Sequence, residues 1–541
     1  MKKVLTGLVI LISLAGTVRA QSVFLPYSYD LYQKFDGDLY STKTREHTSM
    51  VVFADDTLLN KRYNQIMYNG SDTSNHHSWF VRKLLYEHLF EVKQPDFTFY
   101  GDFLPDFVGG RDFSGHMNTN IYTRGYQLGG TVGKNFYFFT SGFEDQAKFP
   151  EYINTYINQT GIVPGQAYNR NAGINLNSSD WSYVTAILSY TPIKYLNIEL
   201  ARDKNFIGDG YRSLLLSDYS SPYNFLKFTA TLGNVRYMAM WAEFDDPRAP
   251  KFDALGNERR KWGAFHYLDW NVSNRVTLGF FDAVIWPAAN DQGQSRGFDV
   301  EYINPVIFTR PVEASAGSPD NALIGFTGKY KAWDQLTLYG QFMLDEFQAK
   351  QFFSDGGSSR NKYGYQIGIR GGGLFGVQNL TYLLETNAVK PYTYSERSVI
   401  ENYTANGEPL AHPWGANFRE VVGKLNYSYK RFDFSGELDY GHYGLDTAGL
   451  NYGKDPWEDY TKPARTEGNY IGQGLTTNMI YLEGKVAYIV NPKYNLRLEL
   501  GGLIRREKNS AFDDKTTMIT FGLRSSFRAI YNDLASYKVH H

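Results

Sequence analysis

A glycine-rich stretch in the second half of the chain has a spacing that could bind a dinucleotide. Gly371, Gly373 and Gly376 match the glycine pattern that lets a backbone approach a pyrophosphate. That chemistry requires a strand that leads directly into a helix, whose N-terminus then holds the phosphates. Here the glycines join two segments of alternating polar and apolar residues, which is the pattern of two strands. We therefore interpret them as a turn and predict no cofactor.

Residues with the chemistry for catalysis or metal binding are present but scattered. His76 and His77 are adjacent, so their side chains would point apart on a helix, and His88 lies on the apolar face of a predicted helix. No cluster of partner ligands accompanies them. The sequence has no Gly-x-Ser-x-Gly elbow and no cysteine, which excludes a cysteine nucleophile and disulfides. We predict that the chain is not an enzyme and holds no metal.

Charged residues recur on one face of neighbouring alternating segments near the C-terminus. They interleave both signs and are Glu437, Glu483, Lys485, Arg497 and Glu499. In a barrel, all five would point into the lumen. Two interpretations remain open: hydrated residues could line a diffusion channel, or ion pairs and loops could fill the interior. The interleaving of both signs favours a filled interior.

Two loop segments combine charged groups, amides and aromatic rings, a mixture suited to sugar hydroxyls and ring faces. They span residues 202–218 and 301–321, and both fall in predicted extracellular loops. Alternatively, they are internal loops folded into the mouth of the barrel and paired with lumen charges. For the first interpretation, the predicted polysaccharide-binding residues are Asp209, Tyr211, Arg212, Asn304, Arg310 and Asp320.

Period-two alternation from residue 97 onward predicts the elements that position these residues. In residues 495–502, for example, Leu496, Leu498 and Leu500 alternate with Arg497 and Glu499. We count 18 such segments, near residues 97–104, 125–132, 136–143, 182–190, 195–202, 225–232, 235–243, 263–271, 275–283, 323–331, 335–343, 363–371, 378–386, 418–429, 432–440, 479–489, 494–503 and 517–527. An even number of strands returns both termini to the same side of a membrane.

The connections between these segments alternate between short and long. Residues 133–135, 233–234, 430–431 and 491–493 are short, whereas 144–181, 244–262, 441–478 and 504–516 are long. Barrels of bacterial outer membranes have short periplasmic turns and long outer loops. Aromatic residues gather at the short-turn ends, where a membrane-interface girdle is expected; they are Tyr190, Tyr195, Trp270, Tyr330, Trp333, Tyr427, Tyr429, Tyr488 and Tyr494. We predict an all-β fold, a transmembrane antiparallel β-barrel of about 18 strands.

The composition fits such a wall. The 541 residues include 43 Tyr and 37 Phe, yet the mean hydropathy is −0.42, because a barrel wall needs apolar side chains only at alternate positions. Composition alone would suit a soluble all-β carbohydrate-binding protein nearly as well. The net charge of −1 gives no field that would attract nucleic acid.

The N-terminus has the features of a secretory signal peptide. Lys2 and Lys3 precede the apolar residues 4–15, and Ala20 ends a cleavage motif. The alternative is a short buried helix. We predict a signal peptide over residues 1–20, a periplasmic N-terminal segment over 21–95, the barrel over 96–528 and a C-terminal tail over 529–541. The mature protein would lie in the lipid of the cell outer membrane.

The predicted N-terminal segment contains a small helical element. Its apolar residues at helical spacing are Val81, Leu84, Leu85, His88, Leu89 and Val92. Asn75 is the expected N-cap, and Pro95 would end the segment.

Two motifs resemble those of the capsule assembly protein Wzi family, in particular its Bacteroidetes branch, which includes the gliding-motility-associated protein RemB. They are "RDKNFIGDGYRSLLLSD" (residues 202–218) with Pro222 and Phe225, and "EYINPVIFTRPVE" (301–313) with "SPDNALIG" (318–325). The resemblance covers about residues 75–530. It implies an 18-stranded barrel with a periplasmic helical element and an interior blocked by loops. It also implies a lectin-like role in holding exported polysaccharide at the cell surface.

Three functional hypotheses follow. The first is a non-catalytic barrel that binds or organises surface polysaccharide, as in capsule or slime attachment, with a link to gliding motility. The second is a porin or solute transporter. The third is an accessory barrel of a secretion or gliding machine, whose proteins would then be its partners.

Overall fold

The protein forms a closed barrel of 18 antiparallel strands. The computed structural model describes residues 28–51, 65, 77–172, 174, 177–251, 258–305, 320–346, 356–525 and 530–537. The predicted signal peptide lies outside these residues. The strands are β1 (Phe97–Asp112), β2 (Met117–Val132), β3 (Phe136–Lys148), β4 (Ser179–Ile193), β5 (Leu196–Asp203), β6 (Tyr223–Leu232), β7 (Val235–Asp246), β8 (Arg259–Asn271), β9 (Val276–Pro287), β10 (Asn321–Trp333), β11 (Leu336–Glu346), β12 (Lys362–Gly372), β13 (Leu380–Val389), β14 (Phe418–Tyr429), β15 (Phe432–Leu445), β16 (Leu475–Asn491), β17 (Leu496–Lys508) and β18 (Asp513–Arg524). Each strand pairs with the next, and β18 pairs with β1. The predicted fold class and strand number are confirmed.

In the described part of the chain, short helices accompany the barrel. They are α1 (Tyr29–Tyr32), α2 (Asp36–Leu39), α3 (Trp79–Leu85) and α4 (Glu151–Thr160). A 3₁₀ turn, Gln33–Phe35, joins α1 to α2, and further 3₁₀ turns span Val300–Ile303, Leu374–Gly376, Val399–Glu401 and Pro492–Tyr494. No helix in the described part of the chain is long and apolar enough to cross a membrane.

The outer face of the wall is apolar and exposed, as a lipid-facing surface must be. On β17 and β18, Leu498, Leu500 and Phe521 point outward and are 43%, 52% and 60% exposed. Arg497 and Glu499 alternate with them and point inward. Most of the predicted girdle residues are likewise exposed at the short-turn end, although Tyr494 is buried. We take the short-turn end as periplasmic.

Two outer connections are much shorter than the sequence pattern suggested. Only residues 113–116 separate β1 from β2, and only residues 509–512 separate β17 from β18. The predicted long loop at 504–516 is therefore wrong. These strands extend beyond the membrane, where outward positions carry charge, as in the Arg506–Asp513 ion pair. The apolar alternation ends there while the backbone pairing continues.

The predicted helix over residues 81–92 is shorter than expected. It ends at Leu85, and Phe90–Lys93 instead forms a short strand paired with the periplasmic half of β1. β18 pairs with the outer half of β1, so the short strand completes the seam. Ser78 caps the helix, whereas Asn75 lies outside the described residues. His88 faces Asp102, with a 2.6 Å bond from its Nδ1.

Four segments, which we call the lumen plug, fill the interior. They are residues 28–51, 204–222, 390–417 and 530–537. At the periplasmic end, Arg370 on β12 binds Asp36 of α2 through two bonds of 2.6 and 3.2 Å. Lys331 on β10 donates to the carbonyl oxygens of Leu39, Ser41 and Thr44 at 2.9–3.0 Å. The first segment thus closes the periplasmic mouth.

Candidate functional site

The first predicted loop segment lies inside the barrel. Residues 204–222 leave β5 at its outer end and turn into the lumen, where Leu214, Leu215 and Leu216 are fully buried. Gly208 passes so close to β11 that a Cβ would lie 2.2 Å from the Gln341 Nε2 atom. Its φ of +145° is also one that side-chain-bearing residues rarely adopt. Of the two interpretations of this loop, the internal one describes its position.

Arg212 is the centre of a buried charge cluster. Its guanidinium donates to Glu420 of β14 at 3.0 and 3.1 Å and lies 3.7 Å from Asp439 of β15. The same group binds Asp533 of the C-terminal segment. All four side chains are at most 2% exposed. Three carboxylates from separate elements therefore converge on one cation.

His412 extends this cluster as a neutral ring. Burial lowers its pKa to about 4, although Glu420 opposes that shift. The backbone N–H of Trp414 donates to His412 Nδ1 at 3.1 Å. The ring proton therefore resides on Nε2, which donates to Glu420 at 2.7 Å. The ring thereby joins the plug segment 390–417 to the wall.

Tyr211 and Asp209 are also engaged within the lumen. The Tyr211 hydroxyl donates to Asp533 at 3.1 Å. Asp209 accepts from the hydroxyls of Tyr40 at 3.0 Å and Ser49 at 2.6 Å, and lies 3.2 Å from the Lys329 ammonium. Asp209 thus ties the N-terminal plug segment to the loop and to β10.

The wall charges predicted to face the lumen do so, and each has a partner. Lys485 pairs with Glu483 at 2.5 Å, and Arg497 pairs with Glu499 at 2.8 Å. Glu437 binds Lys424 at 2.6 Å. The first two pairs each join residues two positions apart on one strand, and the Glu437–Lys424 pair joins β15 to β14.

Small cavities remain between the plug and the wall. One of about 70 Å³ is lined by residues that include Tyr211, Lys424 and Glu437, and another of about 70 Å³ lies towards β1, β17 and β18. Both are lined by Glu483, Lys485 and Asn532. A larger cleft of about 570 Å³ lies at the periplasmic mouth, between α2 and the turns at 334–335 and 373–379.

Tyr302, in the second predicted segment, lies on the other side of the wall. Tyr302 packs against the outward-facing Trp241, Ala264 and Trp286, and accepts a 2.7 Å bond at its carbonyl from the Trp241 indole. Its hydroxyl donates to Asp320 at 2.7 Å. Residues 298–303 therefore cover the outer face of β7–β10. These residues belong to the outer connection between β9 and β10, as predicted, and they pack against the wall.

Two ionisable residues on the outer face of the same strands were not predicted from the sequence. His266 and Asp282 occupy outward positions on β8 and β9, lie opposite each other in register, and are fully buried. His266 Nδ1 lies 3.1 Å from the Tyr237 hydroxyl. Ionisable groups facing lipid are costly, so this patch is a protein-covered part of the wall. Both could have been found from the sequence, because each interrupts the series of apolar residues at the outward positions of its strand.

The six predicted binding residues do not form one site. Asp209, Tyr211 and Arg212 lie inside the lumen. Asp320 lies at the start of β10, bound to Tyr302 and to Arg296 at 2.8 Å, and Asn304 is exposed nearby. Arg310 lies outside the described residues. That they bind polysaccharide stays a prediction.

The described residues contain no group of three or more His, Cys, Asp or Glu side chains that could hold a metal ion. The three carboxylates around Arg212 share its single positive charge and are buried between the plug and the wall.

Comparison with known proteins gives likeness of structure only. No protein-family model matches the sequence, and no curated protein matches it. A solved structure of Wzi, described as an outer membrane protein involved in group 1 capsule assembly in Escherichia coli and as a carbohydrate-binding β-barrel, is 14% identical, with a TM-score of 0.47 over 80% of this chain and 84% of that one. OccAB2 of Acinetobacter baumannii is 10% identical (TM-score 0.42, 79% and 97%), and OprD of Pseudomonas aeruginosa is 8% identical (TM-score 0.41, 79% and 94%).

The fold assignment rests on the wall itself. Closed pairing, an exposed apolar belt and short turns at one end make this chain a transmembrane β-barrel of the outer-membrane type.

Proposed function

We propose that this chain is a non-catalytic outer-membrane barrel that binds or organises polysaccharide at the cell surface. The observation that carries the proposal is the filled lumen, in which the plug segments are joined to one another and to the wall through Arg212, Asp209 and His412. A barrel held closed in this way leaves its outer loops as the surface on which a partner can act.

The outer loops offer groups that suit sugars. Tyr168 and Tyr470 are 53% and 54% exposed on the loops after β3 and β15, so each presents a ring face to solvent. Asn304 adds an exposed amide. Aromatic faces that pack on sugar rings, beside polar groups that bond hydroxyls, are a common form of ligand recognition.

Binding of the cell's own surface polysaccharide tests the proposal. Purified protein in vesicles should bind the isolated polysaccharide, and Tyr168→Ala, Tyr470→Ala and Asn304→Ala should each weaken that binding. Tyr195→Ala is the matched control, because Tyr195 is 44% exposed at the opposite, periplasmic end. In cells, loss of the protein should release polysaccharide into the medium. Wild-type protein without measurable binding, and unchanged retention in cells, would refute the proposal.

A second candidate, a porin or solute transporter, is favoured by one observation. The two small cavities share lining residues on β16 and run beside the wall from β15 to β1. Planar-bilayer recording separates the candidates: a steady conductance of the full-length protein supports the porin, whereas a silent barrel supports a surface-binding role. The Bacteroidetes relationship, gliding motility and secretion partners stay predictions.

A further inference from the structure

Helix α3 carries its large apolar residues outward. Trp79 and Phe80 are 63% and 66% exposed, Leu84 is 40% exposed, and no residue of the helix is buried. Phe80 and Leu84 lie one turn apart on the same face. A short helix with this much exposed apolar surface needs an apolar environment to be stable in this position.

The helix is fixed to the periplasmic rim of the wall. The Asn491 side chain, at the end of β16, donates to the carbonyl oxygens of Lys83 and Glu87 at 3.0 and 2.9 Å. Arg431, in the turn between β14 and β15, lies 5.1 Å from the Tyr86 ring centroid. These contacts hold the C-terminal end of α3 at the level of the periplasmic turns.

The exposed surface of α3 continues into the lipid-facing wall. Four residues after the helix, Leu89 and Phe90 are 52% and 54% exposed, and Phe90 packs edge-on against the outward Phe99 of β1 at 5.7 Å. Exposed apolar residues therefore follow the helix in sequence and meet the membrane-facing belt at Phe99.

Basic residues surround the same rim. The exposed Lys93 follows Phe90, and Lys430 lies in the turn that also carries Arg431. Arg82 and Lys83 are on the helix itself and both pair with Glu87, as Lys93 does with Glu91, so Lys430 and Arg431 carry most of the net positive charge of the rim. Such a combination of exposed apolar residues and nearby cations is typical of helices that lie in the interface of a membrane containing anionic lipid.

We propose that α3 lies in the plane of the periplasmic leaflet, with Trp79, Phe80 and Leu84 among the lipid chains and the basic rim on anionic phospholipid headgroups. The partner is the phospholipid surface itself. This inference concerns the opposite end of the molecule from the proposed polysaccharide site and does not depend on it.

The absence of cysteine from the sequence allows a direct test. Single-cysteine variants Phe80→Cys and Leu84→Cys are spin-labelled in folded protein and reconstituted in vesicles of phosphatidylethanolamine and phosphatidylglycerol. Lys43→Cys, at a side chain 81% exposed at the periplasmic mouth, is the water-exposed control, and Leu500→Cys is the lipid-exposed control. Collisions with oxygen and with a water-soluble nickel complex report the depth of each label.

Labels at positions 80 and 84 should be protected from nickel and accessible to oxygen, at a depth between the two controls. Replacing phosphatidylglycerol with phosphatidylcholine should make both labels shallower. Nickel accessibility equal to that of position 43 would overturn the proposal, and a depth that does not respond to lipid charge would overturn the assignment of anionic headgroups. Gel mobility before and after heating confirms that each labelled barrel is folded.

Discussion

Arg212 and Asp533 form an ion pair between two segments that both enter the lumen, one from an outer loop and one from the C-terminus. The pair is buried, and Tyr211 donates a second bond to the same carboxylate. The carbonyl oxygen of Asp533 also accepts from the Trp414 indole at 2.9 Å. One residue of the tail therefore holds two of the other plug segments in place.

Arg212→Met should destabilise the barrel far more than Asp533→Asn. Loss of the guanidinium leaves Glu420, Asp439 and Asp533 as buried carboxylates without their shared cation, at a cost of about 3–5 kcal/mol. Asp533→Asn leaves Arg212 bound to Glu420 and should cost less than about 2 kcal/mol. Urea unfolding in lipid vesicles measures both.

Arg506→Met provides the comparison for this pair of variants. Its partner Asp513 lies at the exposed outer edge of β18, and such a surface pair, screened by solvent, contributes little to stability. If Arg212→Met were no more damaging than Arg506→Met, the buried cluster would not hold the plug together.

Removal of the C-terminal segment should open the lumen. Residues 530–537 separate the two cavities beside β16–β18, and Asn532 lines both. A chain that lacks residues 530–541 should show discrete conductance steps in a planar bilayer that the full-length protein does not show. Lys462→Ala, at an exposed side chain of an outer loop, is the control and should stay silent. Equal conductance with and without the tail would show that the other plug segments close the barrel alone.

A charge on the lipid face should be tolerated only near the membrane edge. Leu500 points outward in the middle of β17, so Leu500→Arg should cost about 2–4 kcal/mol. Thr517 is outward and exposed near the outer end of β18, and Thr517→Arg should cost about 0–1 kcal/mol. Unfolding in vesicles compares them, and equal costs would place the membrane boundary elsewhere.

The wall could be predicted from the sequence because its physics is local. Side chains along each strand must alternate between lipid and lumen. The outward orientation of residues such as Leu498 and Leu500 can therefore be predicted from their own strand alone. The alternation disappears where a strand rises out of the membrane, as at Arg506, and there the predicted strand ends were too early.

The plug could not be predicted because its contacts are distant in sequence. Arg212 and Asp533 are 321 residues apart, and nothing in the neighbourhood of either residue indicates the other. Loop residues that fill a lumen have the same mixture of charge, amide and ring as loop residues that bind sugars. Asp209, Tyr211 and Arg212 could therefore be recognised from the sequence as candidate functional residues, but not assigned to the lumen or to the cell surface.

The plug segment around Glu401, residues 397–404, should become more stable against local opening as the pH falls from 8 to 6. Burial raises the pKa of Glu401 to about 7, and repulsion from Glu396, Asp320 and Asp291 acts in the same direction. Because this value exceeds the ordinary 4.5 of an unfolded glutamate, the stabilising contribution of the protonated group is complete below pH 4.5 and is lost as the pH rises through about 7. Hydrogen exchange of residues 397–404 should be faster at pH 8 than at pH 6, after correction for the intrinsic rate.

Glu401→Gln separates this effect from other titrations. The amide keeps the shape of the protonated carboxyl and carries no charge at any pH, so the corrected exchange of residues 397–404 should become nearly independent of pH between 6 and 8. The backbone anchor of the segment, a 2.9 Å bond from Asn321 to the Glu401 carbonyl oxygen, is unaffected by the substitution. A variant that retained the wild-type pH response would show that the titration of another group, and not of Glu401, changes the exchange of residues 397–404.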